Sequence, residues 1–453
     1  AALMLATTSL LALAALVFAL ARWHRAGPHF HTLFLLLLMG LNGAFLTGDL
    51  FNLFVFFEIL LAASYGLLLH GSGAVRVRAG LHYIAVNLAA SSLFLIGASL
   101  IYGVTGTLNM ADLAVRVAAI APENRGLLEA GAAILGIAFL VKAGMWPLCF
   151  WLPGAYAGAA APVAAVFAVL SKVGVYAVLR LGPMLFGAGA GASAGFGDTW
   201  LVAGGAATVV FGAIGVLASQ VLGRIVAYSV LVSSGTVLLA AGLADAGVTA
   251  GALFYMTSST LAIGAMFLLV ELVERVQDPA ASVLAVTVEA FGDEEEEAAE
   301  DEVGVSVPRV LTLLGVCFSV GGLVLSGLPP LSGFVGKVAL ATAALAAAPA
   351  AAAPPVTAAF LGLLLGSGLL TMIAMMRAGI RTFWAPIEGT VPRVGVAEFA
   401  PVAFLLLLCA GMTVAAGPLM RYAEAAARSL HAPDAYIGTV LSAPRVPPPG
   451  GAP

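Results

Sequence analysis

Four ionisable side chains stand in stretches of sequence that are otherwise hydrocarbon. Glu58 lies in DLFNLFVFFEILLAASYG, Lys142 in FLVKAGMWP, Lys172 in AVLSKVGVYAV and Lys337 in GLPPLSGFVGKVAL. These are all of the lysines; the remaining sixteen Lys/Arg bases are arginines at the ends of apolar runs or between them. The partition has a chemical reading. A guanidinium keeps its proton in proteins and suits anchoring, whereas an ammonium can be tuned by burial to load and unload one. A charge at the centre of a bilayer costs about 2.5–3.5 kcal/mol on the insertion scale, so each is expected to face protein or water and to have a partner. Glu58 and Lys142 are the natural pair, in which a proton moved at one changes the other; an ion pair that only fixes packing is the competing reading. Asn42, Asn52, Asn87, Ser171, Ser233, Ser234, Thr257, Ser258, Ser259 and Ser332 could hold bridging waters along the row, although small polar residues also bond their own helix or glue helices together. His82 could feed protons to the row or simply mark an interface. Glu271 and Glu274 read as solvated helix-end residues, and Cys149, Cys317 and Cys409, each alone in an apolar stretch, as buried inert thiols.

The elements that must position these groups follow from composition. The chain has 453 residues, 62% hydrophobic and 9% charged, where a soluble domain carries about 25% charged residues. At about 20 apolar residues per crossing, the expectation is one all-α polytopic membrane domain over 1–453. Twelve crossings are predicted near 3–20, 29–48, 50–70, 81–103, 127–147, 160–181, 200–219, 224–243, 250–272, 309–328, 356–378 and 398–418. Arginines in loops after odd-numbered spans outnumber those on the other side and tail ten to six, which makes the former face cytoplasmic. The net charge of -4 is local: residues 289–302 hold nine acids, leaving 19 bases against 14 acids elsewhere, an excess of five that carries no nucleic-acid footprint. The acidic loop, 279–308, is expected to be solvated and cytoplasmic, and 433–453, ending in VPPPGGAP, a disordered tail. The first residue is Ala1, not Met, as expected of an incomplete chain.

Two of the predicted spans are broken. Pro147 and Pro153 interrupt the fifth, and Pro329 and Pro330 the tenth, where a helix would lose donors and clash. If 29–181 and 200–378 form two five-helix units, both broken helices occupy the fourth place. Five is odd, so the units are inverted in the membrane. Interrupted helices at matching places of inverted repeats point to a transport site near the midplane. Enzymatic signatures in their working context are missing from the sequence: no HExxH, GxSxG, phosphate-binding lysine loop or dinucleotide fingerprint stands in a strand-turn-helix setting, and no Cys or His pair is spaced for a metal or haem.

The stretches GDLFNLFVFFEILLAASYGLLLHG, FLVKAGMWPLCFWLPGAYAGAAAPVAAVFAVLSKVGVYAVLR, GRIVAYSVLVSSG and GLPPLSGFVGKVAL resemble the antiporter-like subunits shared by respiratory complex I and the Mrp cation/proton antiporters. With YGVTGTLNMADLA, the first is most similar to the D-type subunits of the Mrp (also Pha or Mnh) complexes. The resemblance implies a fourteen-helix fold with two inverted five-helix repeats, of which this chain would start at the third helix. By position it assigns Glu58, Lys142 on the broken seventh helix, Lys172 on the eighth and Lys337 on the broken twelfth to a proton route. Where many relatives have a histidine before a Ser-Thr-Leu-like stretch, this chain reads Thr257, Ser258, Ser259, Thr260, Leu261, so hydroxyls and water would have to serve. The resemblance further implies a bacterial cell membrane location, partners corresponding to the A, B, C, E, F and G subunits, and no cofactor. The expected function is proton translocation in a Na+ (or K+)/H+ antiporter. A proton-pumping subunit of a redox-driven complex is the alternative, and a scaffold whose buried charges only specify assembly is a third.

Overall fold

The computed structural model describes residues 1–25, 27–71, 73–276, 309–347, 355–383 and 394–443. Among them the main helices are α1 (Ala2–Ala21), α2 (Phe30–Leu46), α3 (Leu50–Leu68), α4 (Ala74–Thr105), α5 (Met110–Ala118), α6 (Pro122–Ala143), α7 (Trp151–Gly158), α8 (Ala161–Phe186) and α9 (Asp198–Ala218). They continue with α10 (Leu222–Ala241), α11 (Ala246–Val276), α12 (Arg309–Ser326), α13 (Ser332–Ala347), α14 (Pro355–Phe383), α15 (Val396–Val414), α16 (Ala416–His431) and α17 (Asp434–Leu441). No strand forms among the described residues; one isolated bridge joins Asp49 to Asn109.

All twelve expected crossings coincide with helices. Ten helices are long and apolar enough to span a bilayer, with shorter apolar helices at Phe30–Leu46, Val310–Ser326 and Ser332–Ala347. Some boundaries move. The fourth crossing, expected from 81, begins at Ala74. The short α5 lies between crossings, started by Asn109, whose side chain accepts from the N–H groups of Ala111 and Asp112. Asp49 starts α3 in the same way, and the two capping residues are brought side by side by Leu50 N–H to Leu108 O and Met110 N–H to Gly48 O, both 2.9 Å. Of 433–453, expected to be a disordered tail, Asp434–Leu441 instead forms α17, and 444–453 lie outside the described residues, as does the acidic loop 279–308.

Burial sorts the helices by task. In its most apolar stretch α11 is buried throughout, α8 to 94% and α10 to 83%, whereas the other long spans bury between 33% and 50%. The three therefore form an inner row screened from lipid, the place where ionisable groups are least costly. The row carries Lys172, Ser233, Ser234, Ser258 and Ser259.

Both breaks are built alike, residue for residue, 183 positions apart. α6 ends on Gly144 at φ 73° and α12 on Gly327 at φ 75°, the left-handed conformation that glycine adopts without strain. The next N–H turns back across the helix end in each case: Met145 to Leu140 O at 2.9 Å and Leu328 to Leu323 O at 3.1 Å. Trp146–Pro147 and Pro329–Pro330 then follow, both cis. The chain resumes as the half-helices α7 and α13. Pro153 stands in the first turn of α7, where a missing N–H leaves nothing unpaired.

Candidate functional site

Each lysine meets a different surrounding. Lys142 occupies the last turn of α6, and its ammonium lies 5.7 Å from the centre of the Phe57 ring. It borders a cavity of about 20 Å³, enclosed by Phe57, Tyr83, Asn87, Trp151 and neighbouring aliphatic side chains; about 10–15 Å³ suffices to seat one water. Glu58, on α3, acts electrostatically on Lys142, but no ion pair within 4 Å joins them, and the buried Glu58 Oε1 has no hydrogen-bond partner. The two thus act on each other across a gap. On the cavity wall Trp151 Nε1 is buried without a hydrogen-bond partner, while Tyr83 shares a 2.5 Å bond with Ser64.

Lys172 is fully enclosed. Its Nζ donates to Ser234 Oγ at 2.9 Å, and no carboxylate comes within 4 Å among the described residues. From there the hydroxyls step across the inner row in pairs. Ser233, next to Ser234 on α10, shares a 2.7 Å bond with Ser259 of α11. Ser258, the neighbour of Ser259, shares another of 2.7 Å with Ser332, the first residue of α13. Five residues on, Lys337 donates to the carbonyls of Ser326 at 2.8 Å and Leu364 at 3.3 Å. Adjacent serines on one helix point in directions about 100° apart, so each step between pairs is a gap in the hydrogen-bonded line.

The structure therefore brings together Lys172, Ser233, Ser234, Ser258, Ser259, Ser332 and Lys337, with Glu58 and Lys142 at one flank. Other candidates fall outside. His82 is exposed on α4 and joins none of these contacts. Ser171 and Thr257 bond their own helix, to Ala168 O and Leu253 O, and Asn52 is exposed. Asn42 Oδ1 is buried without a partner. The three thiols are free and buried.

Glu271, expected to be solvated, is instead held. It accepts from Trp23 Nε1 at 2.7 and 2.9 Å and pairs with Arg275 at 2.6 Å; Arg275 pairs in turn with Glu398 at 2.6 Å. Arg76, 5.1 Å above the Trp23 ring, reaches the carbonyl of Gly158 at the end of α7. This cluster ties the half-helix to α11 and α15. Periodicity could not reveal it, because Trp23 and Glu271 are 248 residues apart.

Residues 47–362 match the family model described as NADH:quinone oxidoreductase/Mrp antiporter, TM. The chain is 63% identical over 447 residues to the D-type subunit of a probable K(+)/H(+) antiporter from Rhizobium meliloti (strain 1021), covering 98% of this chain and 83% of that protein. It is 33% identical over 417 residues to the D-type subunit of the Na(+)/H(+) antiporter of Alkalihalophilus pseudofirmus, covering 91% of this chain and 78% of that one. A chain of the Mrp complex from Dietzia sp. DQ12-45-1b superposes with a TM-score of 0.80 at 28% identity, over 97% of this chain and 85% of the other.

Proposed function

Since this chain belongs to the NADH:quinone oxidoreductase/Mrp antiporter membrane family, we propose that it is the D-type, proton-translocating subunit of a multisubunit K+ (or Na+)/H+ antiporter. It works in the bacterial cell membrane beside the other Mrp-type subunits, as a transporter component and not as an enzyme. K+ is the first cation to test, because the relative at 63% identity carries that name. The segments 29–181 and 200–378 are proposed as its two inverted units.

One observation supports this reading above the rest: every lysine of the chain lies on the inner row or at a helix break, and paired hydroxyls step from Lys172 as far as Ser332, five residues before Lys337. The residues then divide the work. Glu58 and Lys142 sense each other across a gap, so protonating one changes the charge balance of the other. Lys172 has a single neutral oxygen partner, which leaves its charged form sensitive to any charge that moves nearby. A hydroxyl both donates and accepts, so the serine pairs can hand a proton along with water in the gaps. Lys337 is different. Its partners are backbone carbonyls, which accept only, and the hydrogen-bonded relay stops there.

Glu58→Gln and Lys142→Ala, each in the whole assembly, should abolish cation-driven proton movement in inverted vesicles while the complex still forms. Full exchange in either variant sinks the proposal. The alternative, a proton pump driven by redox chemistry, predicts that the native complex co-purifies with an electron-carrying arm containing iron-sulfur subunits.

A further inference from the structure

Beneath Lys172, toward the face made external by the arginine bias, α8 continues with Tyr176 and then Arg180, each one turn further on the same side of the helix. Arg180 is therefore about 12 Å along the axis from Lys172 at 1.5 Å per residue. Its guanidinium is held on three sides by neutral oxygens. It donates to the carbonyl of Thr47 at 2.6 Å, to the Tyr176 hydroxyl at 3.1 Å and to the Tyr436 hydroxyl at 3.2 Å. Its carbon lies 5.9 Å from the ring centre of Tyr176 and 5.6 Å from that of Tyr436. Tyr176 is fixed in turn, its hydroxyl donating to Phe45 O at 2.7 Å and its ring edge-on to Phe45.

No carboxylate lies within 4 Å of Arg180 among the described residues; the ion pairs there involve Arg116 and Arg275. An arginine needed only to pin α17 to α8 would not have to be left electrically uncompensated. A guanidinium keeps its charge in proteins, and a fixed positive charge in a narrow polar route repels protons and cations alike.

We propose that Arg180, clamped between Tyr176 and Tyr436 on the wall of a cavity of about 400 Å³, is an electrostatic stopper that bars the external side of Lys172. A proton on Lys172 then leaves along the serine pairs toward Lys337 instead of leaking straight outward. The inference rests on the proton route through Lys172 proposed above.

The test uses the purified whole complex in liposomes loaded with a pH dye. Passive proton entry is measured with an imposed pH step and no cation gradient. Arg180→Gln, which keeps donors but loses the charge, should raise the leak roughly fivefold or more, while Arg180→Lys stays within about twofold of wild type. Tyr436→Phe, which loosens the anchor to α17 and spares the charge, should stay tight. Adding Lys172→Ala to Arg180→Gln should bring the leak back to baseline. A tight Arg180→Gln complex overturns the stopper, as does a leak that survives loss of Lys172, or one that Arg180→Lys and Tyr436→Phe share. Unchanged antiport in Lys172→Ala alone would instead remove the proton-route reading, so the two failures are told apart.

Discussion

Gly368→Ala tests how Lys337 is held. A methyl group at 368 would stand 2.5 Å from the Ser326 oxygen and 2.7 Å from Lys337 Nζ, both well inside ordinary contact. Ser326 O is backbone at the end of α12, so α12 and α14 must part slightly to seat the methyl, and the flexible lysine is driven aside as well. It then loses its bond to Ser326 O at 2.8 Å and the longer one to Leu364 O at 3.3 Å. A hydrogen bond to a charged group contributes about 1.5–3 kcal/mol. If the step through Lys337 limits turnover, losing one such bond slows it about 10- to 150-fold, at 1.36 kcal/mol per decade. The assay is the initial rate of cation-driven proton movement in inverted vesicles, normalised to assembled complex on native gels. The control is on the same helix: a methyl at Gly366 meets nothing within 4 Å, so Gly366→Ala should keep its rate. Wild-type exchange in an assembled Gly368→Ala complex would refute this account of Lys337, and so would equal damage at Gly366.

Ser258→Ala and Ser332→Ala each remove one half of the same 2.7 Å bond, so each should slow antiport, and the double variant should be no slower than the worse single one, as a rate cycle would read. Glu398→Gln removes the 2.6 Å partner of Arg275 but leaves Glu271 in place; breaking a buried pair costs about 3–5 kcal/mol, and with one partner remaining the expected loss is about 1–3 kcal/mol, read as a lower melting temperature in detergent. His431, on the amphipathic α16, bonds Thr249 at 2.9 Å, and burial lowers its pKa below the usual 6.5 against the opposing pull of Asp245. A histidine held neutral on folding contributes stability that is present above its unfolded pKa and lost as pH falls through the folded value. The protection of 416–431 against hydrogen exchange, corrected for the intrinsic rate, should therefore fall as pH drops below the unfolded value of about 6.5 and hold above it, a contrast that His431→Gln should erase.

What could be read before folding was the set of groups that hydrocarbon penalises. Every crossing was legible because a span of about 20 apolar residues is a physical requirement of the bilayer, and both breaks because proline cannot serve a helix interior. Lys172 and Lys337 declared themselves by the cost of their placement. Their partners did not. Ser234 is 62 residues from Lys172, and Ser332 is 74 from Ser258; a helical period tells which residues share a face, never which other face it meets. For the same reason the separation of Glu58 and Lys142 could not be read, and Glu271, expected to be solvated, proved bound to Trp23. α5 escaped notice because nine residues between two crossings carry no bilayer constraint.

The two breaks share a backbone but not a lysine position. Lys142 stands two residues before Gly144, where the second break has Leu325, and Lys337 stands ten after Gly327, where the first has Gly154. Yet both lysines stand by the end of a severed helix. Lys142 lies in the last turn of α6; Lys337 reaches back across the break to the carbonyl of Ser326, the last residue of α12. The carbonyl end of a helix carries about half a negative charge and oxygens with no intrahelical donor, so a cation is favoured there whichever half-helix supplies it. Breaking the helix moves that end from the membrane surface to the interior. The repeated element is therefore the severed carbonyl end, and the lysine is the variable part that each unit brings to it from a different side. The consequence is directional: at the first break the amine is fixed to the half-helix that ends there, while at the second it belongs to the half that begins, so movement of α13 against α12 would separate Lys337 from its acceptor but movement of α7 against α6 would leave Lys142 in place.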